Sequence, residues 1–445
     1  MFNKFKQQVR RSSQSPKAPK KLVAGRFHAT KADAAIKEEK PQVVRKATTP
    51  KRTYTLDDLK KQLSAWAENE RIPGKFQAWF TANPQSQNSD WRLVKDKVGA
   101  HEVLNLDPPA TSMEIPEVVT RVREQIQKGH LRILKKSLRQ ICFRAAGNGD
   151  FALLIQANLR GRNTAHESKT FVDFIQHACP EIISCHFIQC YPDLPFNPSQ
   201  MQQVRIESKC IFGSDFLPIG NSGFAMHVLD WAPRIKDAWV KLPERIKDAI
   251  HPNPEDKLFE FYSASSFIGA SLSSFFSKVV CLDYRDASMQ STHYNMRRLP
   301  QDNLHFLRKK LDAEVIAKFF SKKENDGRWT FYFNPPFGEP LPTGVIQTAA
   351  ASRPERILYQ SGDLETAAKE IKRFRREGYI LRKNIPLYLE PDSSKFEVLF
   401  IFVPDRNGLL GQNPAIKARS LTVQRPKERP NTPKRGDIPH FVQTK

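Results

Sequence analysis

Between residues 257 and 403 the chain alternates apolar, strand-like runs with helical stretches, and this alternation restricts the fold more than any other feature. Lys257 to Tyr262 reads as a strand followed by a helix to Ser277, and Val279 to Asp283 as a strand followed by a helix to Arg298. Thr330 to Phe333, a helix around Thr343 to Ser352, Ile357 to Gln360 and a helix over Glu365 to Gly378 continue the pattern. Strands near Leu381 and Val398 close it. A strand that returns parallel to its neighbour needs a crossover, so the pattern predicts an α/β domain with a doubly wound, mainly parallel sheet. Ligands in such sheets sit beyond the carboxyl ends of the strands, which makes the strand-closing residues the candidates for function.

Upstream the texture differs. Thr55 and Asp58 are spaced to cap a helix carrying Leu56, Leu59, Leu63 and Trp66 on one face, which Pro73-Gly74 ends. With Phe76, Trp79, Phe80, Trp91 and a helical stretch from Met113 to Lys136, residues 54–125 read as a small, mainly helical unit. Residues 126–220 read as an α+β domain. It has strands at Gln140 to Arg144 and Phe151 to Ala157 around a Gly147-Asn148-Gly149 hairpin turn, a helix over Ser168 to Ala178, and strands at Ile182 to Cys190 and Val204 to Phe212. A long helical stretch from Ser222 to Ile250, with Pro233 and Pro243 as breaks, opens the α/β domain of residues 221–404.

Charge separates the arms from this body. The chain carries a net charge of +24. Residues 1–52 contribute +12 of it and residues 405–445 another +6. Both arms, 1–53 and 405–445, lack apolar periodicity, and such composition predicts disorder. A basic disordered arm either binds a polyanion through counterion release or only solubilises the chain. No apolar run approaches the ~18 residues of a membrane span, and no secretory signal is apparent. Six cysteines in 445 residues suit a reducing compartment rather than a disulfide scaffold. The expected location is cytoplasmic. The absence of acids from residues 1–32 keeps a mitochondrial or plastid matrix open.

Four strand ends carry chemistry. Tyr262-Ser263-Ala264-Ser265-Ser266 forms the first turn with small residues but no glycine, so a glycine-rich nucleotide cradle is missing. Asp283 ends the second strand about twenty residues on, placed either to accept ribose hydroxyls or to cap the next helix. Asn334-Pro335-Pro336-Phe337 follows the strand Trp329 to Phe333. The Asn carbonyl and the backbone carbonyl of Pro335 can hold an exocyclic amino group while Phe337 stacks on the base; the alternative is a rigid turn with a buried Phe. Tyr359-Gln360-Ser361-Gly362-Asp363 supplies no nucleophile. The basic run Lys369, Lys372, Arg373, Arg375 and Arg376 reads as a solvated helix face, and Cys179, Cys185 and Cys190 match no metal-ligand spacing.

These residues, in this order, resemble the uracil-5 RNA methyltransferase family, which acts on tRNA and 23S rRNA, over about residues 130 to 403. The resemblance implies a class I, Rossmann-like domain that binds S-adenosylmethionine, behind an RNA-facing α+β domain. Lys257 to Asp283 looks like the cofactor-binding strand, turn and acidic second strand; Arg356 to Ser361 like the strand leading to the catalytic cysteine. Gly213-Ser214-Asp215-Phe216 looks like the start of the substrate and cofactor loop. The resemblance matches Tyr262 and Asp283 to cofactor-binding positions, and with Ser263 and Ser265 of the turn and Asn334 they are the candidates to hold the cofactor. It places Asn334 where the family has an Asp followed by Pro, and makes Glu397 the retained base or a relic; Asn334, Pro335 and Phe337 are candidates for the reaction because Asn-Pro-Pro-Phe resembles the signature of class I amino methyltransferases. Gly362 stands where the family has its cysteine, Pro218 where it has a glutamine, and Ser263 to Ser266 where it has glycines. The iron–sulfur cysteines and the N-terminal OB-type domain are not apparent.

Uracil C5 is a poor nucleophile until a thiolate adds at C6, and glycine supplies none, so 5-methyluridine synthesis is not expected. Two readings follow. One is an S-adenosylmethionine-dependent RNA methyltransferase, a monomer acting on an exocyclic amino group of rRNA or tRNA, without iron–sulfur cluster or metal. The other is an inactive methyltransferase fold that binds RNA or ribosomal particles.

Overall fold

The structure, a computed structural model, describes residues 55–406 apart from 74–75, 83–88, 99–100, 107–113, 129–130, 148, 158–161, 192–193, 198–204 and 390–395. The two basic arms lie almost wholly outside the described residues. In chain order the elements are α1 (Leu56–Asn69), β1 (Phe80–Thr81), β2 (Trp91–Val98), β3 (His101–Leu106), α2 (Glu117–Gln127), α3 (Arg132–Ser137), β4 (Leu138–Gly147), β5 (Asp150–Ala157), α4 (Arg162–Ala178), β6 (Ile182–Tyr191), β7 (Arg205–Phe212), β8 (Phe216–Pro218) and β9 (Ala225–His227). They continue as α5 (Lys236–Ile250), β10 (Lys257–Phe261), α6 (Phe267–Leu272), β11 (Lys278–Asp283), α7 (Asp286–Arg298), β12 (Leu304–Arg308), α8 (Ala313–Phe320), β13 (Trp329–Phe333), α9 (Val345–Ala351), β14 (Arg356–Ser361), α10 (Leu364–Arg376), β15 (Tyr379–Tyr388) and β16 (Glu397–Pro404).

The larger sheet has the order β1-β15-β16-β14-β13-β10-β11-β12. Strands β10 to β14 run parallel, and β16 inserts antiparallel between β14 and β15. Helices cover both faces of its central strands, so β13 is buried throughout and reads as an unbroken apolar run. On one face Phe259, Phe261 and Phe333 stack in series, with ring centroids 4.2 and 4.5 Å apart. The strand order reverses between β10 and β13, which pair with Phe261 opposite Phe333. The turns that follow these two strands therefore open side by side, at the switch point where open α/β sheets bind ligands. The sequence pattern missed β12 and α8, because β12 is an edge strand of mixed burial without an apolar run.

The second sheet, ordered β3-β2-β4-β5-β6-β7, is antiparallel except for β5 and β6, which α4 connects. The expected hairpin closes β4 and β5 with Gly147 opposite Asp150.

Residues 54–125 depart from the small helical unit expected of them. The capping box of α1 forms as read, with Asp58 N donating to Thr55 Oγ1 at 3.2 Å. Leu59 and Leu63 of α1 bury in the core of the larger sheet, β1 pairs parallel with β15, and β2 and β3 extend the second sheet. A lone helix and a two-stranded ribbon cannot bury their own apolar faces, so each joins a neighbouring core. The long helix expected from Ser222 shrinks to α5. Residues 222–235 hold β9 and an irregular segment up to Pro233, whereas Pro243 lies inside α5 without ending it.

A buried charge cluster fastens that segment to the second sheet. Lys236 Nζ lies 2.7 Å and Arg144 Nε 3.6 Å from Asp90 Oδ2, and all three side chains are buried. Arg144 also donates to the carbonyls of Val228 and Asp230 at 2.6 and 2.5 Å.

Candidate functional site

Between β10 and α6 the chain turns through Tyr262 to Ser266. Tyr262, Ala264 and Ser266 have φ of 60°, 49° and 56°. This is the left-handed region, which costs a residue with a Cβ ~1–2 kcal/mol. The turn thus keeps a glycine-like path while carrying side chains. Ser266 N donates to Ser263 O at 2.7 Å, and the hydroxyls of Ser263, Ser266 and Thr292 link at 3.2 and 2.9 Å. Ser265 is buried, and its hydroxyl has no partner among the described residues. The glycine that follows, Gly269, lies within α6. A Cβ there would come 2.5 Å from Glu260 Oε2 and 2.6 Å from Cys281 Sγ, so its absence lets the helix lie directly on β10 and β11.

Asp283, at the end of β11, is buried and fully engaged. Its Oδ2 accepts from Ala264 N at 3.0 Å and from Arg285 Nη2 at 2.6 Å. Its Oδ1 accepts from the backbone N–H groups of Tyr284 and Arg285 at 2.8 and 3.0 Å and from Arg285 Nε at 3.0 Å. It does not cap α7, whose N-cap is Arg285 without a side-chain hydrogen bond; it holds the turn before that helix and the Arg285 side chain. A ribose could reach it only by displacing the Arg285 fork.

Asn334 emerges from β13 next to the first turn, with its N–H 3.4 Å from Phe261 O. Its side-chain amide takes no partner among the described residues. Together with Glu260, Tyr262, Ser263 and Gln360 it lines a narrow pocket, whose wall also includes Trp231 and Trp239. Burial pushes the Glu260 carboxyl up to about 8, against the hydrogen bonds that Cys281 Sγ and Gly269 N give it at 3.3 and 2.8 Å. Glu260 is therefore largely a neutral donor-acceptor at pH 7. Burial likewise raises the Tyr262 phenol, so it stays protonated.

Beyond the Pro335-Pro336 turn, the Phe337 ring is 59% exposed, which excludes the buried-Phe alternative. It lies over Gly362: a Cβ at Gly362 would sit 3.0 Å from Phe337 Cδ2 and 3.4 Å from Glu397 Cγ. Phe337, Gly362 and Glu397 thus meet at one place, and Gln360, which lines the Asn334 pocket, connects to it through Glu397. Glu397 accepts from Gln360 Nε2, and Gln360 Oε1 accepts from Tyr332 Oη at 2.7 Å, a chain across β13, β14 and β16. Pro218 lies in β8, paired with Ala225, and is not among the residues lining the pocket. The basic face of α10 is partly engaged, Lys372 with Glu70 at 2.7 Å and Arg373 with Glu370 at 2.8 Å.

The sequence reading missed Glu260, Arg285 and the Tyr332–Gln360 pair. Glu260 had a signal, an acid inside the apolar run Phe259 to Phe261. Arg285 had none, because only the fold of the β11–α7 turn aims it back at Asp283.

No family model matches the chain. It is 27% identical over 163 residues to an uncharacterized RNA methyltransferase of Lactococcus lactis, covering 36% of this chain and 34% of that protein. A second uncharacterized RNA methyltransferase, from Fusobacterium nucleatum, is 23% identical over 162 residues with the same coverage. The chain thus spans about a third of the length of the curated relatives it matches. Among solved structures, the Pyrococcus abyssi tRNA (uracil-54, C5)-methyltransferase in complex with S-adenosyl-L-homocysteine superposes with a TM-score of 0.54. The two are 15% identical, over 78% of this chain and 82% of that one. The α/β domain of this chain has the class I, Rossmann-like methyltransferase fold.

Proposed function

We propose that this chain is an S-adenosylmethionine-dependent RNA base methyltransferase whose acceptor is an exocyclic amino group rather than uracil C5. The observation that carries the proposal is the position of Asn334. Its unpartnered amide stands at the switch point, against the first turn and beside the exposed Phe337, in a pocket that none of the six cysteines lines. The Asn334 carbonyl and the Pro335 backbone carbonyl accept the two N–H bonds of an amino group and aim its lone pair, while Phe337 stacks on the base. Transfer to nitrogen needs this orientation and no covalent adduct. The cofactor supplies an electrophilic methyl group when bound.

Residues suited to hold it are present. The partnerless Ser265 hydroxyl is a spare polar group in the turn, and Glu260, Tyr262, Ser263 and Asn334 give a polar wall for the amino-acid end. Asp283 takes the ribose once Arg285 yields. RNA as substrate is supported by the names of the curated relatives and by the net charge of +24.

The Asp283–Arg285 fork favours a second reading, an RNA-binding protein that transfers no methyl group. Calorimetric titration of the full chain with S-adenosylmethionine separates the two. Micromolar binding that Asp283→Ala abolishes is the result expected of the enzyme. No binding at millimolar cofactor, with RNA binding intact, overturns the enzyme in favour of the second reading.

A further inference from the structure

Another cluster of reactive side chains lies in the second sheet, apart from the Asn334 pocket. His186 on β6 stands opposite Cys210 on β7. Asp215 follows in the loop between β7 and β8, which Gly213 turns tightly back over β6: φ there is +83°, and a Cβ would lie 2.2 Å from Ile183 O. One ligand atom from each of His186, Cys210 and Asp215 lies within 4.8 Å of the others.

The His186 ring is fully buried, and its Nε2 lies 3.3 Å from the Ser214 carbonyl and 3.2 Å from Ser184 Oγ. A carbonyl only accepts, so Nε2 carries the proton and Nδ1 presents a lone pair. That lone pair has no hydrogen-bond partner among the described residues and faces Asp215 Oδ1 at 3.5 Å. Two acceptors thus confront each other beside a thiol. Protonating the ring would relieve the conflict, but burial disfavours the imidazolium, against the pull of Asp215.

We propose that His186 Nδ1, Cys210 Sγ and an Asp215 carboxylate oxygen form a binding site for a divalent cation of the zinc class. The nitrogen, sulfur and oxygen donors match that borderline-soft ion. The Ser214 carbonyl on Nε2 fixes the tautomer as ligating histidines require. Bonds of ~2.0–2.3 Å place tetrahedral donors ~3.4 Å apart, so Cys210 and Asp215, both exposed, swing toward a fixed His186. A fourth position stays open to solvent. The ion would clip the loop to β6. Beyond the loop, Asp215 O accepts from Val228 N at 2.8 Å and Phe216 stacks on Tyr294 of α7 at 4.1 Å, so the clip would join the second sheet to the α/β domain.

The test is titration of metal-stripped full-length protein with Co²⁺, followed by Zn²⁺ displacement. The expected result is one Co²⁺ per chain with a thiolate charge-transfer band, and a melting temperature raised by Zn²⁺. Cys210→Ser should remove the band, and Asp215→Asn should weaken binding by about 100-fold or more, beyond the ~10–100-fold of outer-shell changes. Both substitutions are at exposed positions, and an unchanged metal-free melting temperature verifies their folding. Absence of stoichiometric binding overturns the site, as does a band or affinity that survives both substitutions.

Discussion

Gly362 makes the consequence of a single position testable. Where the family resemblance expects a thiol, a Cβ would press on the exposed Phe337 ring at 3.0 Å, a contact that a small shift of the ring relieves. Gly362→Cys should therefore change stability by no more than about 0.5 kcal/mol, as at other surface positions. It should leave RNA free of 5-methyluridine, read by mass spectrometry of digested product; a robust 5-methyluridine peak would contradict the geometry. Glu260 offers a second test at this scale. Its carboxyl titrates at about 8 in the fold, against an ordinary glutamate value of ~4.3 in the unfolded chain. Between those values the folded state binds the extra proton, so stability declines as pH rises toward 8 and levels off above it. Glu260→Gln, which still accepts from Gly269 N, should flatten that decline. Denaturation midpoints across the interval check it.

Among the elements, the β10–α6 turn departs furthest from what its sequence favours. Two residues with small side chains, Ala264 and Ser266, hold left-handed φ, fixed by the hydroxyl chain and by the Asp283 carboxylate. Strain of this kind persists only where the surroundings over-determine it, and it gathers at functional sites. Ala264→Gly should relieve the Cβ clash, but it also frees the unfolded chain, so the net gain should be at most ~1 kcal/mol. If the turn is a working cofactor cradle, the same change should also tighten S-adenosylmethionine binding in the calorimetric titration. Stabilisation without tighter binding would separate the strain from the cofactor.

At the level of the whole molecule, Asp90, Arg144 and Lys236 connect segments 146 residues apart in sequence. Lys236→Ala leaves a buried carboxylate with less compensation, and breaking such pairs costs ~3–5 kcal/mol. The full chain should lose that much in chemical denaturation, whereas a loss under ~1 kcal/mol would mean that Arg144 suffices alone. The parallel strands β10, β11, β13 and β14 and the residues that close them were legible in the sequence, whereas the edge strand β12 and the place of Asn334 against the first turn were not. Apolar runs of strand length and prolines at their ends are local signals, and the doubly wound topology leaves few other ways to join them. Asp283 was legible as a strand-closing acid but not as a bound one, because the partner that engages it is set by a turn conformation. The role of residues 54–125 was hidden too, since α1, β1 and the β2–β3 pair bury their apolar faces only against strands far along the chain. The sequence determined most strands of the sheet and the residues that close them, because periodicity and punctuation act between neighbours. Only the tertiary structure decided which of those residues are free and which are held, and brought His186, Cys210 and Asp215 together, because partnership among polar groups depends on distances that the order of residues does not contain.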